Sequence, residues 1–552
     1  MSKTLFWYIL KDLLRIFIMA SVVLAGIMSF GGLFKPLMRY GLTASQIGKM
    51  LLCFLPATQT YSLSIAALFA TTVVYGRLAA DNEITACRAS GIGYLSLTLP
   101  AVVLGLTLSI VSLVCLSFVV PHYMLKVEKV AFDSLADIVQ KSIQRSHQLK
   151  LSHKDKNRDF VIHAESAEVL PPSKDAPDDE MVVLYGPMFC NYTFDQKLGI
   201  NIPSEFFTAR SATVIIRRKH DEVQFIAKLE DGVMFPRQFQ GANLGGVGTA
   251  EFGPVALDSP IRENTKFMNI TQLKQMYHDP MRNRELSRRY MAVTRSEQEA
   301  AFSGTVAAAL KIKGEYRFSA DNEAYTLRID PSVRVSSHAN DNKLSLTCSA
   351  PTERQIRLQR SQSGETVATD EARQMVLRVV SDPENNYLRL RFQLEDVVVG
   401  STEGQLKRPS FPRQFGVPMP PEIAALKDRG LQYYLTHGNV GGEDLKRIRK
   451  KLPGLRSGIV AEIHSRVSFA VSCLILVTVG CALGMMFKTG NYLSAFALSV
   501  IPALLCIALT VTGQHVCESN PSLMKLGLAV IWSGNLFVFA LVTSLLFHLR
   551  RQ

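Results

Sequence analysis

Two histidines stand close to carboxylates in a spacing that acid/base catalysis could use. His464 lies two residues after Glu462, and His163 lies four residues after Asp159. A His-carboxylate pair can accept and return a proton near neutral pH. Neither pair belongs to a recognisable nucleophile motif or metal-ligating set. We therefore predict no catalytic residue and do not expect the chain to be an enzyme.

Glycine and cysteine patterns give equally little support for cofactor chemistry. The glycine-rich segment 241–248 is not followed by Lys-Ser/Thr, so a surface loop is favoured over a phosphate loop. The 9 cysteines form no CxxC or other closely spaced Cys/His set. We expect no metal and no cofactor. Cys190 and Cys348, in the middle of the chain, could form a disulfide or remain two buried thiols.

The polar segment 76–91 is the most informative short pattern. On a helix, Asp81, Thr85 and Arg88 would share one side, while Leu78 and Ile84 would lie elsewhere on the surface. That distribution suits a short amphipathic element along a membrane surface. A plain polar turn between two spans is the alternative.

Composition shows which elements must position these residues. The chain has 552 residues, of which 47% are hydrophobic and only 20% charged, with a mean hydropathy of +0.13. This excludes one water-soluble globule. A bilayer core of about 30 Å needs about 20 apolar residues in a helix. Six charge-free stretches meet or approach this length, and we expect Pro121 to end the third: 16–34, 50–76, 95–120, 467–487, 489–517 and 526–549.

The sequence between the third and fourth spans has strand character. Short β-branched and aromatic runs separated by turn residues predict antiparallel strands near 158–164, 181–185, 212–216, 223–227, 325–329, 343–347, 374–379 and 387–394. Residues 280–309 are rich in charge and alanine, which predicts a helical connector. The predicted fold class is a polytopic α-helical membrane protein with three plus three transmembrane helices and a large extracytoplasmic, jelly-roll-like all-β region between them.

The net charge of +14 indicates a kind of partner only when the positions of the basic residues are considered. Much of the basic surplus lies in residues 446–456, just before the fourth span. Such a segment either contacts anionic lipid or forms a solvated helix face. No zinc-finger spacing or aromatic RNA-binding motif accompanies it, so we expect no nucleic-acid partner.

In several short segments the chain resembles the LptF/LptG family, the paired inner-membrane permease subunits of the lipopolysaccharide-export ABC transporter. The resemblance rests on the segment Gly76–Gly91, on Leu55-Pro56 before it, on Glu462-Ile463-His464-Ser465-Arg466, on Gly480 with Leu483-Gly484, and on Trp532 and Asn535. Two frequent family prolines are absent, after Pro56 and at Ala482, which points to different helix kinks.

The resemblance implies a division of labour among subunits. A separate cytoplasmic ABC ATPase would hydrolyse ATP and receive a coupling helix near 77–91, and a second homologous permease subunit would complete a lipid cavity. Lipopolysaccharide, or a similar anionic glycolipid, would pass upward to a periplasmic lipid-acceptor protein. The residues implied in ATPase coupling are Arg77, Asp81, Glu83, Arg88 and Gly91.

Further residues receive roles from their position as well. Lys35 and Arg39, at the outer end of the first span, could meet lipid phosphates or simply reach the interface. Gly480 and Gly484 would permit close helix packing. Glu462, His464 and Arg466 precede the fourth span. The short loops carry more Lys and Arg on the side of the amino terminus, which favours a cytoplasmic amino terminus. The resemblance implies the same orientation in a bacterial inner membrane, with both termini cytoplasmic and the β region periplasmic.

Chain length departs from the family pattern. We expect residues 1–125 to form spans one to three, 126–278 a jelly-roll-like domain, 279–430 an inserted second β unit, and 431–552 a juxtamembrane segment with spans four to six. The insertion keeps two alternatives open. The chain could be the permease or mechanotransmitter of another ABC exporter, or a membrane-anchored periplasmic binding or sensor protein.

Overall fold

The chain forms two compact units in a computed structural model, Met1–Lys274 with Ser457–Gln552, and Gln275–Arg456. The structure describes residues 3–40, 44–132, 135–153, 158–171, 179–195, 200–219, 222–236, 246–257, 264–320, 323–340, 343–351, 353–362, 365–382, 386–401, 404–437, 442–486 and 492–551.

Helices precede and follow the β region along the chain. They are α1 (Lys3–Tyr40), α2 (Ala44–Ala80), α3 (Glu83–Ala89), α4 (Tyr94–Val114), α5 (Val120–Phe132), α6 (Leu135–Ser146) and, after the β region, α11 (Gly442–Met486), α12 (Tyr492–Ser519) and α13 (Met524–Arg551). Within the described residues, 6 helical segments are long and apolar enough to cross a membrane: Lys3–Gly32, Ile47–Ala80, Tyr94–Val127, Gly442–Met486, Phe496–Ser519 and Pro521–His548. The prediction of three spans, a β region and three spans is confirmed.

The end of the third span was predicted wrongly. Pro121 does not terminate the helix, because a π-helical turn over Cys115–Val119 joins α4 directly to α5. Proline lacks a backbone N–H, and in a regular α-helix its ring would clash with the carbonyl four residues earlier. The wider i→i+5 turn just before Pro121 accommodates both defects, so the span continues to Val127.

The first unit contains a nine-stranded antiparallel sheet. Its strand order is β1-β2-β5-β6-β8-β7-β4-β3, with β9 paired to β8. Alternate residues of β4, among them Val182 and Leu184, are buried with Ile143 of α6 in one core. The strands are β1 (Gln148–His153), β2 (Arg158–His163), β3 (Ser166–Leu170), β4 (Glu180–Tyr185), β5 (Met188–Asp195), β6 (Ile200–Thr208), β7 (Ser211–Lys219), β8 (Glu222–Pro236) and β9 (Gly246–Leu257).

The second unit places a long helix on an eight-stranded antiparallel sheet. Before the sheet come α7 (Ile270–His278), which starts in the first unit, and α8 (Arg284–Lys313). After it come α9 (Pro421–Ala424) and α10 (Gly430–His437). The strands are β10 (Glu315–Ala320), β11 (Glu323–Ile329), β12 (Arg334–Asn340), β13 (Lys343–Ser349), β14 (Ile356–Gln362), β15 (Glu365–Asp382), β16 (Tyr387–Ser401) and β17 (Gly404–Pro418).

Local sequence explains why α8 and β16 form. The Asn283 side chain accepts a hydrogen bond from the Leu286 amide at 3.1 Å, and Gly314 ends the helix with φ 69°. Phe302, Val306 and Leu310 of α8 pack on the sheet. In β16, Leu388, Leu390 and Phe392 are buried while the intervening residues are exposed, as their alternation predicts.

Among the residues that the structure describes, the 9 cysteines form no disulfide. Cys190 of β5 and Cys348 of β13 are both buried. Of the two possibilities that the sequence leaves open, the structure therefore shows two buried thiols. Burial raises the pKa of the Cys348 thiol to about 12.

Candidate functional site

The loop between the second and third spans is built on a frame of contacts with α1. α2 runs to Ala80, and Arg77 in its last turn forms an ion pair with Asp12 of α1. Glu83, the first residue of α3, accepts a hydrogen bond from the Tyr8 hydroxyl at 3.5 Å. Ile84 is 7% exposed and belongs to the apolar core of the helix bundle. One side of the loop is thus fixed to the bundle.

The helical part of this loop is shorter than the sequence pattern indicates. α3 begins at Glu83, so Asp81 lies in the turn between α2 and α3 and not on a common helix face with Arg88. Asn82 makes the turn with φ 59°, in the left-handed region that asparagine tolerates better than most residues. The segment 77–91 is therefore a helix end, a turn and a seven-residue helix.

The far end of the loop is held by an arginine on an aromatic ring. Arg88 donates to the Tyr94 hydroxyl at 2.7 Å, and its guanidinium carbon lies 4.4 Å from the centroid of that ring. Gly91 returns the chain with φ 82°, a conformation that glycine adopts without strain. The side chains of Asp81 and Arg88 are exposed. This arrangement exposes one carboxylate from the turn and one guanidinium from α3.

Gly480 and Gly484 bring α11 against α2 of the same chain. A Cβ on Gly480 would lie 2.7 Å from the Leu68 carbonyl oxygen, and one on Gly484 would lie 2.8 Å from the Thr72 carbonyl oxygen. Contacts this short require glycine, since a side chain would force the two helices apart. The glycine pair packs spans two and four together.

Arg466 is the most buried charged residue at the candidate positions. It is 2% exposed, and its Nε donates to Glu462 Oε1 at 2.8 Å. Its Nη2 donates to the carbonyl oxygens of Thr265 and Lys266 at 3.2 Å and of Met268 at 2.8 Å. Arg466 Nη1 has no partner among the described residues. A guanidinium can be buried at such a site because an ion and three carbonyls replace its water.

The Glu462 carboxylate extends this network to a third segment. Its Oε2 accepts a hydrogen bond from Gln514 Nε2 of α12 at 2.9 Å. The chain between β9 and α7 is thereby bonded to α11, and through Arg466 and Glu462 it is linked to α12. Sequence reasoning missed Gln514, whose only signal is a polar side chain within an apolar span.

His464 belongs to a separate set of bonds between α11 and α13. Trp532 Nε1 donates to His464 Nδ1 at 3.3 Å. Further along, Asn535 Nδ2 donates to Ser468 Oγ at 2.8 Å, and Ser472 Oγ donates to Asn535 Oδ1 at 2.7 Å. Trp532 and Asn535 are therefore hydrogen-bonded to residues of the fourth span. His464 bonds to Trp532 and is not among the hydrogen-bond partners of Glu462 that the structure describes.

The sequence also indicated two candidate residues at the outer end of the first span and no metal site. The side chains of Lys35 and Arg39 lie outside the described residues, although both positions belong to α1. Within the described part of the chain, no group of three or more His, Cys, Asp or Glu side chains is arranged to hold a metal ion.

A comparison with known protein families matches the amino-terminal part of the chain. The family model of the lipopolysaccharide export system permease LptF/LptG matches residues 7–169, which include the first three spans, the loop and the first three strands. No curated protein matches the chain. The family is one of non-catalytic transporter subunits. Over residues 7–169, this six-span membrane protein is similar to the LptF/LptG permease family.

Proposed function

We propose that this chain is a permease subunit of an ABC transporter that extracts lipopolysaccharide, or a similar anionic glycolipid, from the bacterial inner membrane. The observation that carries the proposal is the family match over residues 7–169, which includes the loop framed by Arg77, Glu83 and Ile84. The 3+3 arrangement of spans around a β region supports the same function.

In this proposal the loop transmits motion from a cytoplasmic ABC ATPase to the spans. Asp81 and Arg88 contact the ATPase, because they are exposed on a turn whose other side is fixed. Arg77 and Glu83 hold the loop on α1 through Asp12 and Tyr8. Force applied at the turn would then reach the bundle without being absorbed by loop bending.

The remaining partners follow from the same function. A second homologous permease completes the lipid cavity, and a periplasmic acceptor receives the lipid from the first β-sheet. Lys35 and Arg39 contact the phosphates of the head group. Both termini are cytoplasmic and both β-sheets periplasmic. Gly480 and Gly484 contribute by packing α11 on α2, which makes spans two and four move as a pair.

Affinity purification of the full chain from native membranes in mild detergent tests this proposal. Mass spectrometry should find an ABC ATPase, a second six-span permease and a phosphorylated glycolipid. The Asp81→Ala/Arg88→Ala variant should lose the ATPase while retaining the permease. Arg145→Ala, an exposed charge on α6, is the control and should retain both. Absence of an ATPase in several detergents would contradict the proposal.

One observation favours a second candidate function. The eight-stranded sheet and α8 of unit Gln275–Arg456 lie entirely outside the family match. They suit a permease or mechanotransmitter of another ABC exporter, whose cargo or signal differs, or a membrane-anchored sensor. Co-purification of an ATPase without lipopolysaccharide would favour the exporter of another amphiphile, and recovery of neither would favour the sensor.

A further inference from the structure

The second unit contains a groove between α8 and the strands β15, β16 and β17. Its volume is about 970 Å³, within the range of small-molecule sites. Three exposed arginines line it, Arg295 from α8, Arg378 from β15 and Arg391 from β16. Among the described residues, none of the three forms an ion pair or a side-chain hydrogen bond. The described residues therefore do not compensate their positive charges.

Two of these arginines stand directly opposite each other. Arg378 of β15 is the register partner of Arg391 of β16 in the antiparallel pairing. Side chains at such positions have Cβ atoms about 4.5–5.5 Å apart, and like charges placed there destabilise a sheet. An anion bound between the two guanidinium groups would remove this repulsion.

The carboxylates around the groove do not neutralise the pair. Glu299 accepts a hydrogen bond from the Ser381 amide at 3.0 Å, and Asp444 forms an ion pair with Arg289 at 3.1 Å. Glu395 is four residues along β16 from Arg391, which corresponds to about 13 Å of strand. Within the part of the chain that the structure describes, Arg378 and Arg391 therefore have no carboxylate partner.

The rest of the lining fits a ligand with a small anionic group on a larger body. The Gln414 amide supplies a neutral hydrogen-bond donor, and Val376 and Val380 supply apolar surface beside the arginines. Gln393 Nε2 already donates to Ser410 Oγ. Guanidinium groups bind phosphate oxygens through two parallel N–H···O bonds, a geometry that several arginines around one ligand can repeat.

We propose that this groove binds a phosphate-bearing anion, a phosphomonoester or diphosphate, carried by a lipid head group or by a soluble molecule. Arg378 and Arg391 hold the phosphate between them. The proposal concerns a unit outside the family match and holds whether or not the chain exports lipid.

The test uses the full chain in nanodiscs of phosphatidylcholine, with inorganic pyrophosphate as the probe in isothermal titration calorimetry. The groove variant is Arg378→Gln/Arg391→Gln. The matched control is Arg328→Gln/Arg357→Gln, which also removes two exposed arginines from this sheet, each paired with a carboxylate, Glu315 or Glu371. The groove variant should bind pyrophosphate at least about tenfold more weakly, and the control should bind within about twofold of the original chain.

Two results would overturn the proposal. One is no pyrophosphate binding by the original chain at millimolar concentration, and the other is an equal loss of affinity in the groove and control variants. Competition then distinguishes the sources of the phosphate. Displacement of pyrophosphate by phosphatidic acid vesicles indicates a lipid head group, whereas displacement by glucosamine 1-phosphate alone indicates a soluble sugar phosphate. Co-purification of the ATPase would be unaffected by either set of substitutions.

Discussion

The loop after the second span and the segment before the fourth span use similar residues in opposite ways. Each has acidic residues and an arginine within a few positions, and each resembles a family motif. In the loop, Asp81 and Arg88 are exposed. In the other segment, Glu462 and Arg466 are 7% and 2% exposed and bonded to each other. Residue type alone therefore does not separate an exposed surface from an internal structural link.

The difference lies in what satisfies the charges. Arg466 exchanges water for one carboxylate and three backbone carbonyls, so its removal leaves Glu462 buried with one remaining donor among the described residues, from Gln514. Arg88 keeps its contact with water and rests on one tyrosine ring. Substitution of Arg466 should therefore lower the folding stability, whereas substitution of Arg88 should impair communication between subunits.

The largest effect is expected for Arg466→Ala. Breaking a buried, hydrogen-bonded ion pair by removing one partner costs roughly 3–5 kcal/mol of folding free energy. The variant should unfold at a clearly lower temperature in detergent, or fail to accumulate. Arg456→Ala, an exposed arginine ten positions earlier, is the control and should unfold like the original chain. Equal unfolding temperatures for both variants would remove the contrast between the two regions.

A smaller loss of stability is expected for Gly484→Leu. The added side chain would meet the backbone of α2, with Thr72 O at 2.8 Å and Gly76 N at 3.0 Å from its Cβ, and overpacking of this kind costs about 1–3 kcal/mol. Size-exclusion chromatography after graded heating measures the effect. Gly26→Leu is the matched change in α1, because a Cβ there meets no atom within 4 Å. If Gly26→Leu proves the more damaging, close packing of α11 on α2 is not what requires glycine.

Substitutions in the loop should leave stability nearly unchanged and abolish coupling. Asp81→Ala and Arg88→Ala remove exposed charges, whose individual contribution to folding is typically below about 1 kcal/mol. Glu83→Ala should also uncouple by freeing the loop from Tyr8. ATP hydrolysis and lipid release by the reconstituted complex are the measurements. Full transport in all three variants, at normal ATPase rates, would contradict the assignment of this loop to coupling.

The smallest effect concerns thiol labelling. Burial holds the pKa of Cys348 at about 12, so its thiol stays protonated, and stays unreactive, as pH rises from 7 to 9. Cys87 of α3 is only half-buried. Mass spectrometry after brief maleimide treatment of the native chain should find label on Cys87 well before Cys348. Prompt labelling of Cys348 would show that the β13 core opens readily.

The sequence predicted the elements better than it predicted their contacts. Charge-free stretches revealed the spans, and the Leu388-Leu390-Phe392 alternation revealed a strand, because both signals are local. The carbonyls that receive Arg466 lie about 200 positions earlier in the chain. Local spacing cannot reveal such a contact. Likewise, it could not show that Gly480 faces α2, or that Asp81 falls in a turn instead of on a helix.

The turn at Cys115–Val119 has a consequence for which faces of the third span point inward. One extra residue in a helical turn advances the angular position of every later side chain by about 100°. Residues of α5 therefore continue a different stripe from the one that α4 presents. A single-residue deletion within this turn would rotate Met124 and Val127, both buried, toward another neighbour. The third span is thus one continuous helix whose inward-facing stripe of side chains shifts after the turn at Cys115–Val119, next to Pro121.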